Sequence, residues 1–124
     1  MSEKKKVKAF TIDARNWIRG EKFTSSESSC LLNAHGKMCC LGFFGEVCGV
    51  ERETLRSSVT PDDTNDDAFP NWDYEPFITV NDNEKISDET RVQKLRALFK
   101  KRGVTVRFKN LPKGDSFTKP YRAR

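Results

Sequence analysis

The chain has 124 residues, of which 33% are charged and 35% are hydrophobic, with nine Phe and two Trp. This composition supports one modest core and excludes both two independent domains and a wholly disordered chain, because half-size cores are marginal and disordered chains are poor in aromatic residues. No apolar run approaches the roughly 18–20 residues that cross a bilayer, and no apolar segment follows the basic residues 1–6, so we expect a cytoplasmic protein without membrane anchor or secretory signal.

The net charge of +5 is unevenly distributed along the chain. Residues 1–56 carry +3, residues 57–84 carry −8 without a single Lys or Arg, and residues 85–124 carry +10. Clustered cations attract phosphates, so the last third favours an anionic partner. The alternative is a solvated surface whose acidic segment folds back on the basic third.

Four cysteines lie within nineteen residues: Cys30, Cys39, Cys40 and Cys48. Without a secretory signal we expect reduced thiols rather than disulfides. Zinc ligation by these residues and His35 is the alternative, but only His35 and Cys39 have a suitable spacing. We therefore predict no metal and no cofactor. The aspartates of 62–67 lack the Gly and terminal Glu of an EF-hand loop, so they predict a solvated loop.

The first predicted element is a helix over Thr11–Arg19, because one helical face would carry Phe10, Ala14, Trp17 and Ile18. Gly20 would end it. Two short apolar runs, Cys30–Leu32 and Lys37–Cys40, flank a turn that ends in Gly36, which predicts a β-hairpin.

A second helix is predicted to start at Cys40 and stop at Gly49, with an apolar stripe of Cys40, Phe43, Phe44, Val47 and Cys48. Residues 57–77 predict an acidic loop, which Trp72, Tyr74 and Phe77 would dock onto the domain. Phe77–Val80 predicts a short strand, followed by a turn at 81–83.

Ser87 is a predicted N-cap for a helix that has acidic residues in its first turn, basic residues in its last turn, and Gly103 at its end. The alternating residues 104–109 predict a half-buried strand. Residues 1–8 and 112–124 predict loose tails. The predicted fold is a small α+β single domain over 1–124, with about three helices packed on a short antiparallel sheet.

Several of these features occur together in one family of proteins. The features that occur here, in chain order, are Trp17, Leu31-Leu32, Cys39-Cys40-Leu41-Gly42, Cys48-Gly49-Val50 and an Asn81-Asp82 element before a helix. This order resembles a widespread group of small phage-encoded proteins marked by a Cys-Cys-Leu-Gly motif entering a helix. The resemblance spans roughly residues 10–100, and the basic strand and tail beyond it depart from the group. It implies a phage origin and no particular activity.

Cys40 is the candidate nucleophile if the protein is an enzyme, because a helix N-terminus stabilises a thiolate. Cys40-Leu41-Gly42 is similar to the nucleophile position of papain-like peptidases of the cell-wall amidase type. Those enzymes need a downstream His as base, and this chain has only His35, which precedes Cys40. The competing interpretation is that Cys40 and Cys48 are buried core residues.

The candidate binding residues fall into three groups. The first is a basic group on the last predicted helix and strand, which would bind phosphate: Lys100, Lys101, Arg102, Arg107 and Lys109, with Lys113 beyond them. The second is the aromatic pair Trp72 and Tyr74. The third is Asn81 and Asp82, interpreted first as a turn and cap device and otherwise as a ligand contact.

We therefore expect a phage-type accessory protein, located in the host cytoplasm, that binds and inhibits a host or defence protein. The alternative is binding of nucleic acid or a nucleotide through the basic C-terminal third, without sequence readout, because no helix-turn-helix, zinc-finger or RRM pattern is present. The third hypothesis is a cysteine-dependent hydrolase or transferase.

Overall fold

The computed structural model describes residues 7–19, 31–33, 36–56, 58, 60–64 and 66–111. These residues confirm the predicted small α+β class. The elements, in chain order, are strand β1 (Ala9–Asp13), a 3-10 turn (Ala14–Asn16), helices α1 (Cys40–Cys48), α2 (Arg52–Arg56), α3 (Pro61–Thr64), α4 (Glu75–Asp82) and α5 (Asp88–Lys101), and strand β2 (Thr105–Lys109).

The sheet has two strands, β1 and β2, and they run parallel. The predicted antiparallel sheet is therefore wrong. Phe10 lies opposite Val106, and Ile12 lies opposite Phe108. A parallel pair needs a long crossover connection, and among the described residues this crossover contains five α-helices rather than the predicted three or so.

The predicted helix over Thr11–Arg19 is also wrong, because its first half is strand β1. Along β1 the buried Phe10 and Ile12 alternate with exposed neighbours, which is the period of a strand. The apolar spacing fitted a helix, but pairing with β2 decided the conformation. Gly20, the predicted helix end, lies outside the described residues.

The predicted strand Phe77–Val80 is wrong as well, because these residues lie within helix α4. A four-residue apolar run does not by itself distinguish a strand from a helix. Pro76 and Glu75 occupy the first turn of α4, where proline and an acidic residue both favour helix formation. The buried Phe77 and Asn81 lie four residues apart, on one helical face.

The predicted helices at Cys40 and Ser87 and the strand after Gly103 are confirmed. Gly49 and Gly103 follow α1 and α5 with φ of 106° and 81°, a left-handed conformation that glycine adopts without strain. Ser87 caps α5 through a hydrogen bond from the Thr90 amide, 3.0 Å long. Of the predicted hairpin, the described residues show one antiparallel bridge, between Leu32 and Met38.

The core is rich in aromatic rings. Phe44 on α1 contacts Phe10 of β1 and Phe99 of α5, with ring centroids 5.5 and 5.4 Å apart. The acidic segment is packed onto this core by rings of its own, which confirms the predicted docking. The rings of this segment and of α4 that join the core are Phe69, Trp72, Tyr74 and Phe77.

Two further predictions concern the terminal tails and the absence of a membrane-spanning segment. The tail predicted at 112–124 lies outside the described residues, as does most of the tail predicted at 1–8. Within the described part of the chain, no helix has the length and apolar character needed to cross a membrane.

Candidate functional site

The Cys-Cys-Leu-Gly segment lies at the start of α1 and is built into the core. Cys40 and Leu41 are 0% exposed. A Cβ atom at Gly42 would overlap the Leu31 carbonyl oxygen and lie 2.7 Å from Met38 Cβ. Only glycine therefore fits where α1 meets the segment around Leu31. The motif forms a packing junction.

Asn81 of α4 caps this junction from a distant part of the chain. It is 1% exposed, and its Oδ1 accepts hydrogen bonds from the Cys40 amide at 3.1 Å and from the indole N–H of Trp17 at 2.8 Å. Its Nδ2 donates to the Ile18 carbonyl at 3.0 Å and to the Asp82 carboxylate at 2.9 Å. Both donor hydrogens and both acceptor positions are thus used inside the protein, which leaves Asn81 nothing to offer a ligand.

The thiols at this junction are held in the protonated state. Burial raises the pKa of Cys40 well above its ordinary value, and the nearby Cys39 and Asp82 act in the same direction. Burial also raises the pKa of Cys39 to about 11, against the opposing effect of the Gly42 and Leu41 amides. The increase in the pKa of Cys40 caused by burial therefore outweighs the decrease expected from the helix N-terminus, which was the reason to consider Cys40 a nucleophile. The Cys40 thiol points at the Phe77 carbonyl oxygen, 4.0 Å away.

We expect Cys39 and Cys40 to resist alkylation by iodoacetamide in the folded protein at pH 8. A thiol pKa near 11 leaves roughly a hundredth of the thiolate of an ordinary cysteine. Peptide mass spectrometry after a timed pulse separates the individual cysteines, and the urea-unfolded chain gives the reference rate.

Cys40→Ala should retain partner binding, whereas Cys40→Ser should lower the free energy of unfolding by about 1–3 kcal/mol. Rapid alkylation of folded Cys40, or a stable but inactive Cys40→Ala variant, would favour the hypothesis of a cysteine-dependent enzyme.

The structure describes three of the five residues that were considered as zinc ligands. Cys30 and His35 lie outside the described residues, and Cys39 and Cys40 are free thiols. Cys40 and Cys48 begin and end α1, roughly 12 Å apart along its axis. Among the described residues no group of three His, Cys, Asp or Glu side chains is arranged to hold a metal ion.

A buried ion network joins the start of α5 to the rest of the fold. The Arg19 guanidinium binds both carboxylate oxygens of Asp88 at 2.9–3.1 Å. Arg91 is 0% exposed and donates to Asp88 at 3.4 Å. Arg91 also donates to four backbone carbonyls around the end of α4, those of Val80, Asn81, Asn83 and Ile86. The network holds α4 and α5 together at their junction.

The predicted aromatic contacts face inwards. Tyr74 is buried, its hydroxyl donates to the Pro70 carbonyl, and burial raises its pKa. Trp72 is partly buried and stacks on Phe44 at 4.8 Å between ring centroids. The Arg102 guanidinium covers this indole at 5.4 Å. Trp72 and Tyr74 therefore serve mainly to dock the acidic segment.

The predicted basic residues that the structure describes are all exposed but divide into two groups, and Lys113 lies outside the described residues. Lys100, Lys101 and Arg102 form the end of α5. Arg107 and Lys109 lie on the outer face of β2, opposite the face that carries the buried Val106 and packs against α5. The two groups thus point in different directions. Asp82, the last predicted contact, is partly buried beside Asn81, and burial raises its pKa.

A groove between α4 and α5 is the feature that the sequence did not reveal. Its volume is about 470 Å³, and it is lined by Asp73, Glu75, Pro76, Thr79, Val80, Lys94, Ala97, Leu98 and Lys101. The floor is apolar, because Pro76, Val80, Ala97 and Leu98 supply it. Pro76 and Ala97 are exposed, whereas Val80 and Leu98 are only partly buried. We call this feature the α4–α5 groove.

The two walls of the α4–α5 groove carry opposite charge. Asp73 and Glu75 lie on the α4 side, and Lys94 and Lys101 lie on the α5 side. Within the described parts of the chain, none of these four side chains forms an ion pair, although the Asp73 carboxylate accepts a hydrogen bond from the Glu75 amide at 3.2 Å. All four are exposed. The walls therefore present unpaired charges on both sides of an apolar floor.

No family model, curated protein or solved structure gives a significant match to the chain. The resemblance to phage proteins therefore rests on the Cys-Cys-Leu-Gly motif and the residues that accompany it. What the chain does has to follow from the geometry of its own residues.

Proposed function

We propose that this chain is a phage-type accessory protein that acts by binding, and that it engages and inhibits a host or defence protein through the α4–α5 groove. The observation that carries the proposal is the groove itself, an exposed apolar floor between charged walls. Exposed apolar surface with a polar rim is typical of interaction sites. The volume of about 470 Å³ lies within the roughly 300–1,000 Å³ of ordinary binding pockets.

The rest of the described molecule supports a binding role over a catalytic one. The cysteines of the motif are packed and protonated, and Asn81, Arg91 and Asp88 are consumed by internal hydrogen bonds. Among described side chains, no buried nitrogen or oxygen lacks a hydrogen-bond partner. The α4–α5 groove offers apolar contact and charge.

The division of the basic residues disfavours phosphate recognition as the main activity. A phosphate is held best by cations that converge on it, and the end of α5 and the outer face of β2 point in different directions. One member of the predicted basic group, Lys101, lies on the wall of the α4–α5 groove. That residue therefore fits a protein partner at least as well as nucleic acid.

We expect Ala97→Glu to abolish partner binding without unfolding the protein. Ala97 is an exposed residue of α5 on the floor of the groove, and Glu is a good helix former, so the substitution places a charge on the floor while the helix remains. Gln93→Glu is the matched control, because it adds the same charge to an exposed position of α5 that does not line the groove. Tagged versions of both variants and of the unmodified protein would be recovered from infected cells and their bound proteins compared.

The expected result is a protein retained by the unmodified chain and by Gln93→Glu but lost from Ala97→Glu. With that protein purified, Ala97→Glu should weaken binding at least tenfold, about 1.4 kcal/mol. Equal recovery by both variants would move the binding site away from the groove. Recovery of nucleic acid instead, with the log of affinity falling against log salt by about 0.9 per phosphate contacted, would favour the nucleic-acid alternative.

A further inference from the structure

The walls of the α4–α5 groove are formed mainly by two α-helices rather than by extended backbone. Apart from Asp73, which precedes α4, the lining residues belong to α4 and α5, and the backbone groups in the interior of a helix bond to one another. At the end of α4, where a helix leaves its carbonyls without intrahelical partners, those of Val80 and Asn81 accept hydrogen bonds from Arg91. The groove therefore has no row of backbone donors and acceptors with which an extended peptide could pair.

This property decides which backbone conformation the occupant can have. An extended segment pressed onto the apolar floor would bury its own N–H and C=O groups without partners, at about 1–3 kcal/mol each. A helical segment satisfies these groups internally and needs only an apolar stripe to enter the groove. Lys94 and Lys101 lie seven residues apart on α5, which corresponds to roughly 10 Å or two helical turns of contact.

The unpaired charges on the two walls of the groove determine which residues should flank the apolar stripe of a bound helix. Acidic residues on the flank facing α5 would lie beside Lys94 and Lys101, and basic residues on the other flank would lie beside Asp73 and Glu75. Complementary charges across an interface guide orientation and reject mismatched partners. A helix with two basic flanks would meet the two lysines of α5 unfavourably.

We propose that the α4–α5 groove binds an amphipathic helix of the partner protein, with an apolar stripe in the groove, an acidic flank against Lys94 and Lys101, and a basic flank against Asp73 and Glu75. This inference rests on the proposed function and adds the chemistry of the partner. A helix whose flanks are exchanged satisfies the same walls by lying in the opposite direction. The groove therefore selects the charge pattern, and the order of the flanks sets the direction.

The test uses three synthetic peptides with the same leucine stripe, of which the first two are stapled to hold the helix. One carries Glu on one flank and Lys on the other, a second carries Lys on both flanks, and a third has the mixed flanks but two central prolines that break the helix. Binding to the full chain is measured by calorimetry, and amide shifts in NMR spectra locate it. We expect the mixed-flank helix to shift groove amides and to bind at least tenfold more tightly than the other two peptides.

Lys94→Glu combined with Lys101→Glu makes both walls acidic and should reverse the preference, so that the peptide with two basic flanks binds best. Arg107→Glu combined with Lys109→Glu makes the same change in net charge on the outer face of β2 and should leave the preference unchanged. Equal binding of the first two peptides, equal binding of the proline peptide, or no shift of groove amides would overturn the inference. The proposed function fails separately, if Ala97→Glu retains every partner in cells.

Discussion

Asn81→Leu is expected to lower the free energy of unfolding by about 3–5 kcal/mol. The substitution keeps the number and branching of the side-chain heavy atoms but removes four hydrogen bonds, and it leaves the Trp17 indole N–H, the Cys40 amide and the Ile18 carbonyl buried without partners. Each such group costs about 1–3 kcal/mol. The sum is a large share of the roughly 5–15 kcal/mol that holds a domain together. Urea unfolding followed by tryptophan fluorescence measures it.

Asn83→Ala is the control, because Asn83 is exposed and its side chain accepts one hydrogen bond, from the Lys85 amide at 2.8 Å. It should cost less than about 1 kcal/mol. A loss of the same size in both variants would mean that Asn81 is an ordinary residue of α4 rather than the cap of α1.

Asn81→Asp adds a test by pH. The new carboxylate would lie beside Asp82, whose pKa burial already raises, so its own pKa should also be raised. A raised pKa means that the folded state binds protons more tightly than the unfolded state, so stability rises as the pH falls. We expect Asn81→Asp to regain stability between pH 7 and about pH 4, near the ordinary carboxyl pKa, relative to Asn81→Leu at each pH.

Arg91→Met is expected to cost about 3–5 kcal/mol, the usual result of removing one partner of a buried ion pair. The side chain is fully buried and binds Asp88 together with carbonyls of the α4–α5 connection, among them that of Asn83 at 2.7 Å. Methionine fills much of the space but donates nothing. Hydrogen exchange should show earlier opening of α4 than of α1, because Arg91 satisfies the end of α4.

Arg96→Met is the matched control on the same helix. Arg96 is exposed and covers the Phe108 ring at 5.6 Å, so its replacement should cost less than about 1 kcal/mol. If the two arginine variants were equally stable, the buried network would contribute nothing to the α4–α5 junction, and the walls of the α4–α5 groove would be held by apolar packing alone.

The sequence predicts the elements whose signals are local. Helices α1 and α5 and strand β2 have a clear periodicity together with caps or glycine stops, such as Ser87 and Gly49, and all three are confirmed. Strand β1 was missed because its partner lies almost a whole chain away, and no local pattern reports a parallel pairing over that distance.

The α4–α5 groove was missed for a related reason. Residues Phe77–Val80 belong to α4, one wall of the groove, but their sequence predicts a strand. Without a helix there, the sequence does not indicate that Asp73 and Glu75 lie near Lys94. Arg91 left a usable signal, since it falls on the same helical face as Val92, Leu95 and Phe99 and is therefore placed to be buried. The motif at Cys39–Gly42 was recognised as distinctive, but its tight packing depends on contacts with Leu31 and Met38 that spacing does not report.

The pairing of β1 with β2 also determines when the protein can fold as it is made. During synthesis β1 leaves the ribosome first, and its partner strand follows only after every helix has been translated. Until then Phe10 and Ile12, which the finished fold buries, have no strand beside them. Contacts this far apart in sequence form slowly, because a long loop must close before they can contribute. A nascent chain that ends before residue 105 therefore carries an open strand edge, which chaperones recognise and other chains can pair with.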